Sequence, residues 1–471
     1  MNEVSFNRFT ILVVWAVLVS VSFSSAQEQF GNAFSNYSPT SAVFHNPANS
    51  TDSEVMIEIN LGSLGGFLHS DYAYLPASDF NFFRDALINS QIPNAVFNSA
   101  RDEYSMYSYV EYHNPSISYQ YKDQAFGLFS RLRYFGEASD VPEIFANILE
   151  VPQIKGEDPQ SYLLLNRDLT MKDVNVSLLS FAEIGVNYSK AINHFDRNLL
   201  IVGVTLKYLA GIAGGGLHID QMDYRIDTSG VFSYSNFSAK AAKSLEPFSG
   251  AGFSGDVGFV YKRMLDNVTS YNPFRKEAGC RIYDYKWKVG ISLVDLGYVK
   301  FKDGATNTTV DGARGSLTDI TAFQFSEDPE EFLINTFAVD SSYTQAGTSF
   351  SVVLPAAIIL QYDYSFENKY FVAVEFIQGV TPKSTFGVKR PQIFTFIPRY
   401  ENRFFELGLP MGMYNLREVR MGLYLRLGPL TVGTDKLGTY LSVTDVTGFD
   451  AYAKLSWRII HPRSCGRKRV W

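Results

Sequence analysis

The sequence predicts an all-β protein, a closed antiparallel transmembrane β-barrel of about 14 strands. Long segments alternate apolar and polar residues with a period of two, as spanning strands require. Short turns alternate with long connections along the chain. Beyond the first 26 residues there is no apolar run near 18 residues, so a helical membrane span is not predicted.

The N-terminus has the pattern of a secretory signal peptide. Arg8 is followed by an apolar run from Ile11 to Phe23, and small residues precede a junction after Ala26. The run of about 13 residues is too short for a spanning helix, which needs roughly 20. We therefore predict cleavage after Ala26. The alternative is a buried N-terminal strand or helix.

Alternation is clearest near the C-terminus. One face of that segment carries Ala451, Ala453, Leu455, Trp457 and Ile459, and the other carries Tyr452, Lys454, Ser456 and Arg458. Segments 419–427, 200–208 and 287–293 repeat the pattern. A soluble sandwich also alternates, but its strands are typically about five residues long. These segments extend to about 10 residues or more, which fits a tilted spanning strand.

Connection lengths give the topology. The first strand is predicted at Glu54–Leu68, and short turns are predicted on one side at 122–124, 193–197, 367–369, 401–403 and 428–429. Long connections fall on the other side, including 211–250, which can carry its own hairpin, and 301–348. Short turns are typical of the periplasmic side. The even count, within one strand either way, returns the C-terminus to that side.

The inner phase of the strands carries many charges. Seven basic residues define a predicted lumen-facing wall: Arg131, Arg133, Arg399, Arg420, Arg426, Lys454 and Arg458. Glu375, Glu406 and Asp363 share this phase. Charge on the lipid face would cost about 2–4 kcal/mol at the midplane, so these residues are placed inside. Two interpretations stay open: a paired, hydrated lumen, or an anion-selective path or cradle for a carboxylate headgroup.

Catalytic and metal signals are weak. The six histidines are scattered without ligand spacing. Gly252–Asp256 is similar to a nucleophile elbow, but Asp256 stands where glycine is needed. We predict no enzyme activity, no cofactor and no metal, with a membrane-embedded hydrolase as a third-ranked alternative. The net charge of −7 argues against a nucleic-acid partner. A bridge between Cys280 and Cys465 is left open.

Several motifs carry a family resemblance. The elements Asn36-Tyr37, Asn46-Pro47-Ala48 and Asp52-Ser53, with segments 58–61, 291–300 and 428–438, resemble an uncharacterised outer-membrane family of Bacteroidota. The Asn-Pro-Ala element is also similar to FadL-type long-chain fatty-acid channels. That resemblance implies a 14-stranded barrel with an N-terminal plug, whose turn would be Asn46 and Pro47. An ordinary turn explains Asn-Pro equally well.

The chain is thus divided into four parts: the signal peptide 1–26, a plug-like segment 27–53, the barrel 54–460 and a basic tail 461–471. We expect a protein of the bacterial outer membrane, surrounded by lipid. The predicted function is a plugged channel for small or amphipathic molecules. The alternative is a non-enzymatic scaffold or accessory barrel that binds a secretion or surface-assembly partner.

Overall fold

The structure is a computed structural model. It describes residues 29–82, 84–85, 95–98, 103–142, 166–195, 197–227, 231–265, 285–317, 329–331, 333–334, 337, 340–366, 369–382 and 386–460. The predicted signal peptide and basic tail lie outside these residues, as do Cys280 and Cys465.

Fourteen antiparallel strands form a closed barrel, which confirms the predicted fold class and strand count. Closure occurs between the first and last strands, where Val55 lies opposite Ile460 and His69 opposite Gly448. The strands are β1 Val55–Ser70, β2 Glu103–His113 with Ser116–Tyr121, β3 Gln124–Pro142, β4 Leu169–Phe195, β5 Asn198–Ile226, β6 Gly250–Met264, β7 Tyr285–Phe301, β8 Phe350–Val353 with Ala357–Ser365, β9 Tyr370–Gly379, β10 Ile393–Glu401, β11 Phe405–Gly408 with Met411–Tyr414, β12 Glu418–Met421 with Leu423–Leu427, β13 Leu430–Thr434 and β14 Gly448–Ile460.

The two faces of the strands follow the predicted alternation. In β14, Leu455, Trp457 and Ile459 are exposed on the outside, whereas Lys454 and Ser456 are buried. The other strands place large apolar side chains outside in the same way. Leu206, Phe253 and Val419, for example, are 67–77% exposed. A continuous apolar exterior of this kind is the surface that a lipid bilayer requires of a barrel.

One end of the barrel carries the short turns. Lys122 and Asp123 join β2 to β3, and Gly428 and Pro429 join β12 to β13. Both ends of the barrel sequence, Val55 and Ile460, lie at this end. The described part of the chain contains no helix long and apolar enough to cross a bilayer.

At the opposite end, β4 and β5 extend far beyond the barrel wall. They contain 27 and 29 residues, whereas about 9–11 suffice to cross a bilayer. An outer sheet, Phe232–Ser244, Thr306–Leu317 and Thr344–Gly347, pairs with the projecting part of β5. The hairpin expected within 211–250 is therefore present. The stretch 301–348 is not simply a loop, because two of its segments join this sheet.

The outer sheet has an apolar core of its own. Met222, Phe232, Phe237, Val310 and Phe337 are fully buried in it. Short elements complete the described structure: helices α1 Phe30–Ala33, α2 Pro39–Ala42, α3 Pro329–Glu331 and α4 Leu437–Leu441, 3-10 turns Pro47–Ser50 and Ser341–Tyr343, and a strand pair Ala73–Tyr74 with Val96–Phe97.

Candidate functional site

The N-terminal segment, residues 29–54, lies inside the barrel. Phe44 and Asn49 are half-buried, and every other residue of the segment is buried. The Oγ of Ser35 donates to Glu406 of β11 at 2.7 Å, and Ser292 of β7 donates to the carbonyl of His45. Because β7 and β11 stand apart in the ring, the segment crosses the lumen.

The 3-10 turn Pro47–Ser50 is the most closely fitted part of the segment. Pro47 occupies its first position, and the Asn46 side chain accepts from the backbone N–H of Ala48 at 3.0 Å. The turn rests on Gly203 of β5 and Gly258 of β6. A Cβ at Gly203 would lie 2.3 Å from the Ala48 nitrogen, and a Cβ at Gly258 would lie 2.1 Å from Asn46 Oδ1. Only glycine allows so close an approach.

Carboxylates of the wall bind the segment through its polar groups. Glu58 of β1 accepts from the backbone N–H and hydroxyl of Thr40 at 2.9 and 2.7 Å. Glu401 of β10 accepts from the backbone and side chain of Asn36 at 3.0 and 3.1 Å. Glu375 of β9 contacts His45 Nδ1 at 3.0 Å. The segment is therefore held by specific hydrogen bonds around most of the ring.

One charge of the segment has two partners on the wall. Lys262 of β6 and Lys288 of β7 contact Asp52 at 2.7 and 2.8 Å. Asp52 stands three residues before the start of β1. The ion pairs fix the segment near the end of the barrel that carries the short turns.

The seven basic residues of the predicted wall all lie on the inner side, and each meets a carboxylate. Arg131 contacts Glu183, Arg133 contacts Asp295, and Arg399 contacts Asp363. The remaining pairs are Arg420–Glu418, Arg426–Glu406, Lys454–Glu58 and Arg458–Glu58. Lys454 and Arg458 thus share one carboxylate. Because every one of them is paired, these residues do not form a free positive surface. Their functional role stays a prediction.

Asp295 of β7 is the centre of a cluster that the sequence did not indicate. Arg133 of β3 donates to it through two nitrogens, each at 2.9 Å, and Lys207 of β5 at 2.8 Å. Arg390 lies 3.8 Å away. Asp295 adopts a left-handed φ of 56° at a register shift between β6 and β7. The cluster connects β3, β5 and β7, which are not neighbours in the ring.

A small chamber separates the segment from this cluster. Its lining combines aromatic side chains, among them Phe44, Tyr109 and Phe135, with paired charges such as Glu111 and Arg131. The Arg131 guanidinium lies 3.7 Å from the centre of the Phe44 ring. The free volume is about 30 Å³, which is room for about two waters and for no larger molecule.

The connection after β9 folds back into the barrel mouth. Gly387 pairs with Val353 of β8, and its carbonyl accepts from Asn175 of β4 at 3.2 Å. The backbone N–H of Lys389 donates to Glu137 of β3. Residues 386–392 therefore form an inward strap between opposite walls. The composition of this strap is that of an ordinary surface loop, so it could not be predicted from the residues.

A second charged cluster lies at the mouth beside the strap. Glu418 accepts from Arg420 at 2.8 Å and from Thr447 at 2.7 Å, and it contacts Lys436 at 3.3 Å. Lys436 follows β13, outside the strands, and is buried. Burial, reinforced by the nearby Arg420 guanidinium, lowers the pKa of Lys436 to about 7.

Replacement of Lys436 by methionine tests this buried amine. Between about pH 7 and 9 the folded chain loses the Lys436 proton, whereas the unfolded chain keeps it. The free energy of unfolding of wild type therefore increases as the pH rises. We expect the free energy of unfolding of wild type, minus that of Lys436→Met, to increase by about 2 kcal/mol over this range. Urea unfolding in detergent micelles measures it. A difference independent of pH would contradict the lowered pKa.

No group of three or more His, Cys, Asp or Glu side chains suited to a metal ion occurs among the described residues. A model of a family of unknown function, DUF5723, matches residues 47–435. This range begins at Pro47 of the Asn46-Pro47 turn and contains thirteen complete barrel strands, β1 to β13. The chain belongs to the DUF5723 family. The predicted membership of an uncharacterised family is thus confirmed. No curated protein matches the sequence.

Three solved barrels are similar to this DUF5723 chain. The Pseudomonas putida toluene transporter TodX is 10% identical with a TM-score of 0.38, over 90% of this chain and 93% of that one. A Pseudomonas aeruginosa FadL homologue is 11% identical with a TM-score of 0.38, over 90% and 93%. The Ralstonia pickettii toluene transporter TbuX is 10% identical with a TM-score of 0.37, over 89% and 93%.

Proposed function

We propose that this protein is an outer-membrane channel, held closed by its N-terminal segment, for small amphipathic molecules. The observation that carries the proposal is the filled lumen: residues 29–54 cross the barrel and leave a chamber of about 30 Å³. Passage therefore requires the segment to move. The mixed aromatic and paired-charge lining of the chamber suits a molecule with one polar and one apolar part.

The proposal includes the predicted division of the chain. Cleavage after Ala26 would deliver a mature chain beginning with the plug-like segment 27–53. The barrel 54–460 would place its short turns in the periplasm and its outer sheet at the cell surface, before the basic tail 461–471. Mass spectrometry of the protein from outer membranes would give the N-terminus. A mass that retains residues 1–26 would contradict the cleavage.

A disulfide between the segment and the wall tests whether the segment moves. The hydroxyls of Ser50 and Ser189 of β4 are 2.7 Å apart, so cysteines at both positions can form a bridge. In a background with Cys280 and Cys465 replaced by serine, we expect oxidised Ser50→Cys/Ser189→Cys protein to lose solute uptake. Reduction should restore uptake.

Uptake is measured with a panel of small amphipathic dyes in a deletion strain that carries each variant. Ser50→Cys alone is the matched control, since it has the same local change without a bridge. Equal uptake by the oxidised double variant and this control would contradict a moving segment. Equal uptake by the deletion strain and wild type would contradict the channel itself.

The outer sheet favours a second candidate, a scaffold for a secretion or surface-assembly partner. Its separate apolar core gives it a stable shape beyond the membrane surface. Removal of the sheet residues 217–244 and 306–347 would abolish partner capture in that case and leave dye uptake intact. Loss of uptake with no partner recovered from wild-type membranes would favour the channel.

A further inference from the structure

The mouth of the barrel holds a cavity much larger than the chamber inside. Its volume is about 290 Å³, close to the lower end of the range for small-molecule sites. It lies where β1 ends and where the β11–β12 turn rises, and its lining includes Asp71, Tyr74, Tyr414 and Asp445. We call this cavity the vestibule. It stands apart from the segment, and nothing about it requires transport.

The polar groups of the vestibule are held in place before any ligand arrives. Asp71 accepts from the backbone N–H and the hydroxyl of Ser105 at 2.6 and 3.0 Å. Asp445 accepts from the backbone N–H of Ala77 at 3.0 Å. The backbone N–H of Asn415 donates to the carbonyl of Gln392 at 2.7 Å, and the Asn415 side chain accepts from the backbone N–H of Gln392 at 3.2 Å. A site with fixed polar groups loses little entropy when it binds.

The β11–β12 turn is strained beside this cavity. Asn415 and Leu416 have φ values of 48° and 51°, and this left-handed conformation is unusual for leucine. Leu416 is also 49% exposed, so apolar burial does not compensate for the strain. Backbone strain of this kind collects at binding sites. The strained turn places Arg417 in the lining of the vestibule. The Arg417 side chain has no carboxylate partner within the described part of the chain.

The charges of the vestibule select the ligand class. An apolar ligand would cover the carboxylates of Asp71 and Asp445 without replacing their hydration, which is costly. Those two carboxylates oppose an anion, whereas the nearby Glu418 is already paired with Arg420 and Lys436. Arg417 at the rim opposes a cation. A neutral molecule with many hydroxyl groups can instead donate to the carboxylates and accept from Arg417.

Aromatic rings supply the remaining feature. Tyr74 and Tyr414 both line the cavity. The C–H face of a sugar ring is apolar and packs on aromatic side chains, while its hydroxyls bind carboxylates and amides. We propose that the vestibule binds a neutral polyhydroxylated ligand, a single sugar ring in size. The volume admits one such ring and not an extended chain.

The test uses the purified full-length protein in a detergent without a sugar headgroup. D-Glucose, D-galactose, D-mannose and N-acetyl-D-glucosamine are the probes, and saturation-transfer NMR and calorimetry are the readouts. We expect at least one of them to bind with a Kd of about 1 mM or tighter. Asp445→Asn and Tyr74→Leu should each weaken that sugar at least about tenfold.

Arg314→Gln is the matched control, because it removes an exposed arginine of the outer sheet, away from the vestibule. Its affinity for the sugar should equal that of wild type. Methyl and octyl glycosides of the best sugar show whether the natural ligand is a free or a lipid-linked saccharide. Equal affinity for the two glycosides indicates a free saccharide, and tighter binding of the octyl glycoside indicates a lipid-linked one. Either result supports recognition of the ring.

Acetate and ethanolamine serve as anionic and cationic probes of similar simplicity. Binding of either one in place of the sugars would overturn the proposal, and so would the absence of sugar binding in a folded sample. Equal loss of binding in Arg314→Gln would overturn the location. Both vestibule substitutions lie outside the barrel strands, so we expect both variants to fold. Resistance of each variant to unfolding by detergent at room temperature verifies this.

Discussion

Replacement of Gly203 by alanine is expected to expel the N-terminal segment and open the barrel. The new methyl group would lie 2.3 Å from both the nitrogen of Ala48 and the carbonyl carbon of Pro47. Neither backbone can move easily, because β5 is hydrogen-bonded to β4 and β6 and the segment is bound around the ring. Overpacking of this kind costs about 1–3 kcal/mol, which raises the undocked population about 5- to 150-fold.

Gly255→Ala is the matched control for this variant. Gly255 lies on β6, three residues before Gly258, and an added Cβ would meet its nearest atom at an ordinary 3.6 Å. Ion conductance in planar bilayers and protease cleavage of the segment are the measurements. We expect a large increase in both for Gly203→Ala and none for Gly255→Ala. A closed, protease-resistant Gly203→Ala barrel would contradict the fitted turn.

Removal of the Asp295 carboxylate is expected to destabilise the barrel more than any surface change. Arg133 and Lys207 would lose a shared partner in a buried position, and loss of one partner from a buried ion pair typically costs about 3–5 kcal/mol. Asp295→Asn keeps a residue that tolerates the left-handed φ. Asp295→Ala should cost about 1 kcal/mol more for its backbone conformation.

Urea unfolding in micelles measures both variants against Asp303→Asn, an exposed carboxylate in the turn after β7. We expect Asp303→Asn to leave the free energy of unfolding unchanged. The order of stability should be wild type, then Asp295→Asn, then Asp295→Ala. Equal stability of Asp295→Asn and wild type would show that the cluster does not depend on this charge.

The barrel could be predicted because alternation depends only on local sequence. Each strand must present one apolar and one polar face, so the inner position of Arg131 and Lys454 follows from their phase alone. Phase does not tell how far up the lumen a residue lies, nor which residue faces it across the ring. The pairing of Arg133 with Asp295, four strands away, depends on closure and on the register shift beside Asp295.

The outer sheet and the strap escaped prediction for a different reason. Segments 306–317 and 386–392 are polar or rich in small residues, as exposed loops usually are. Their structure comes from partners distant in sequence, such as Phe232–Ser244 for the outer sheet and Glu137 for the strap. The glycines beneath Asn46 also carried no signal, because glycine is common along the inner faces of these strands.

The position of the segment inside a closed ring sets a condition on how the molecule assembles. Residues 29–54 precede β1, yet the Asn46–Pro47 turn rests on β5 and β6, and the ring closes only when β14 reaches β1. A ring that closed around an empty lumen would have to take up the segment afterwards, past the wall side chains that bind it. We therefore expect the segment to be seated while the sheet is still open, and it would then help to bring the curved sheet to closure.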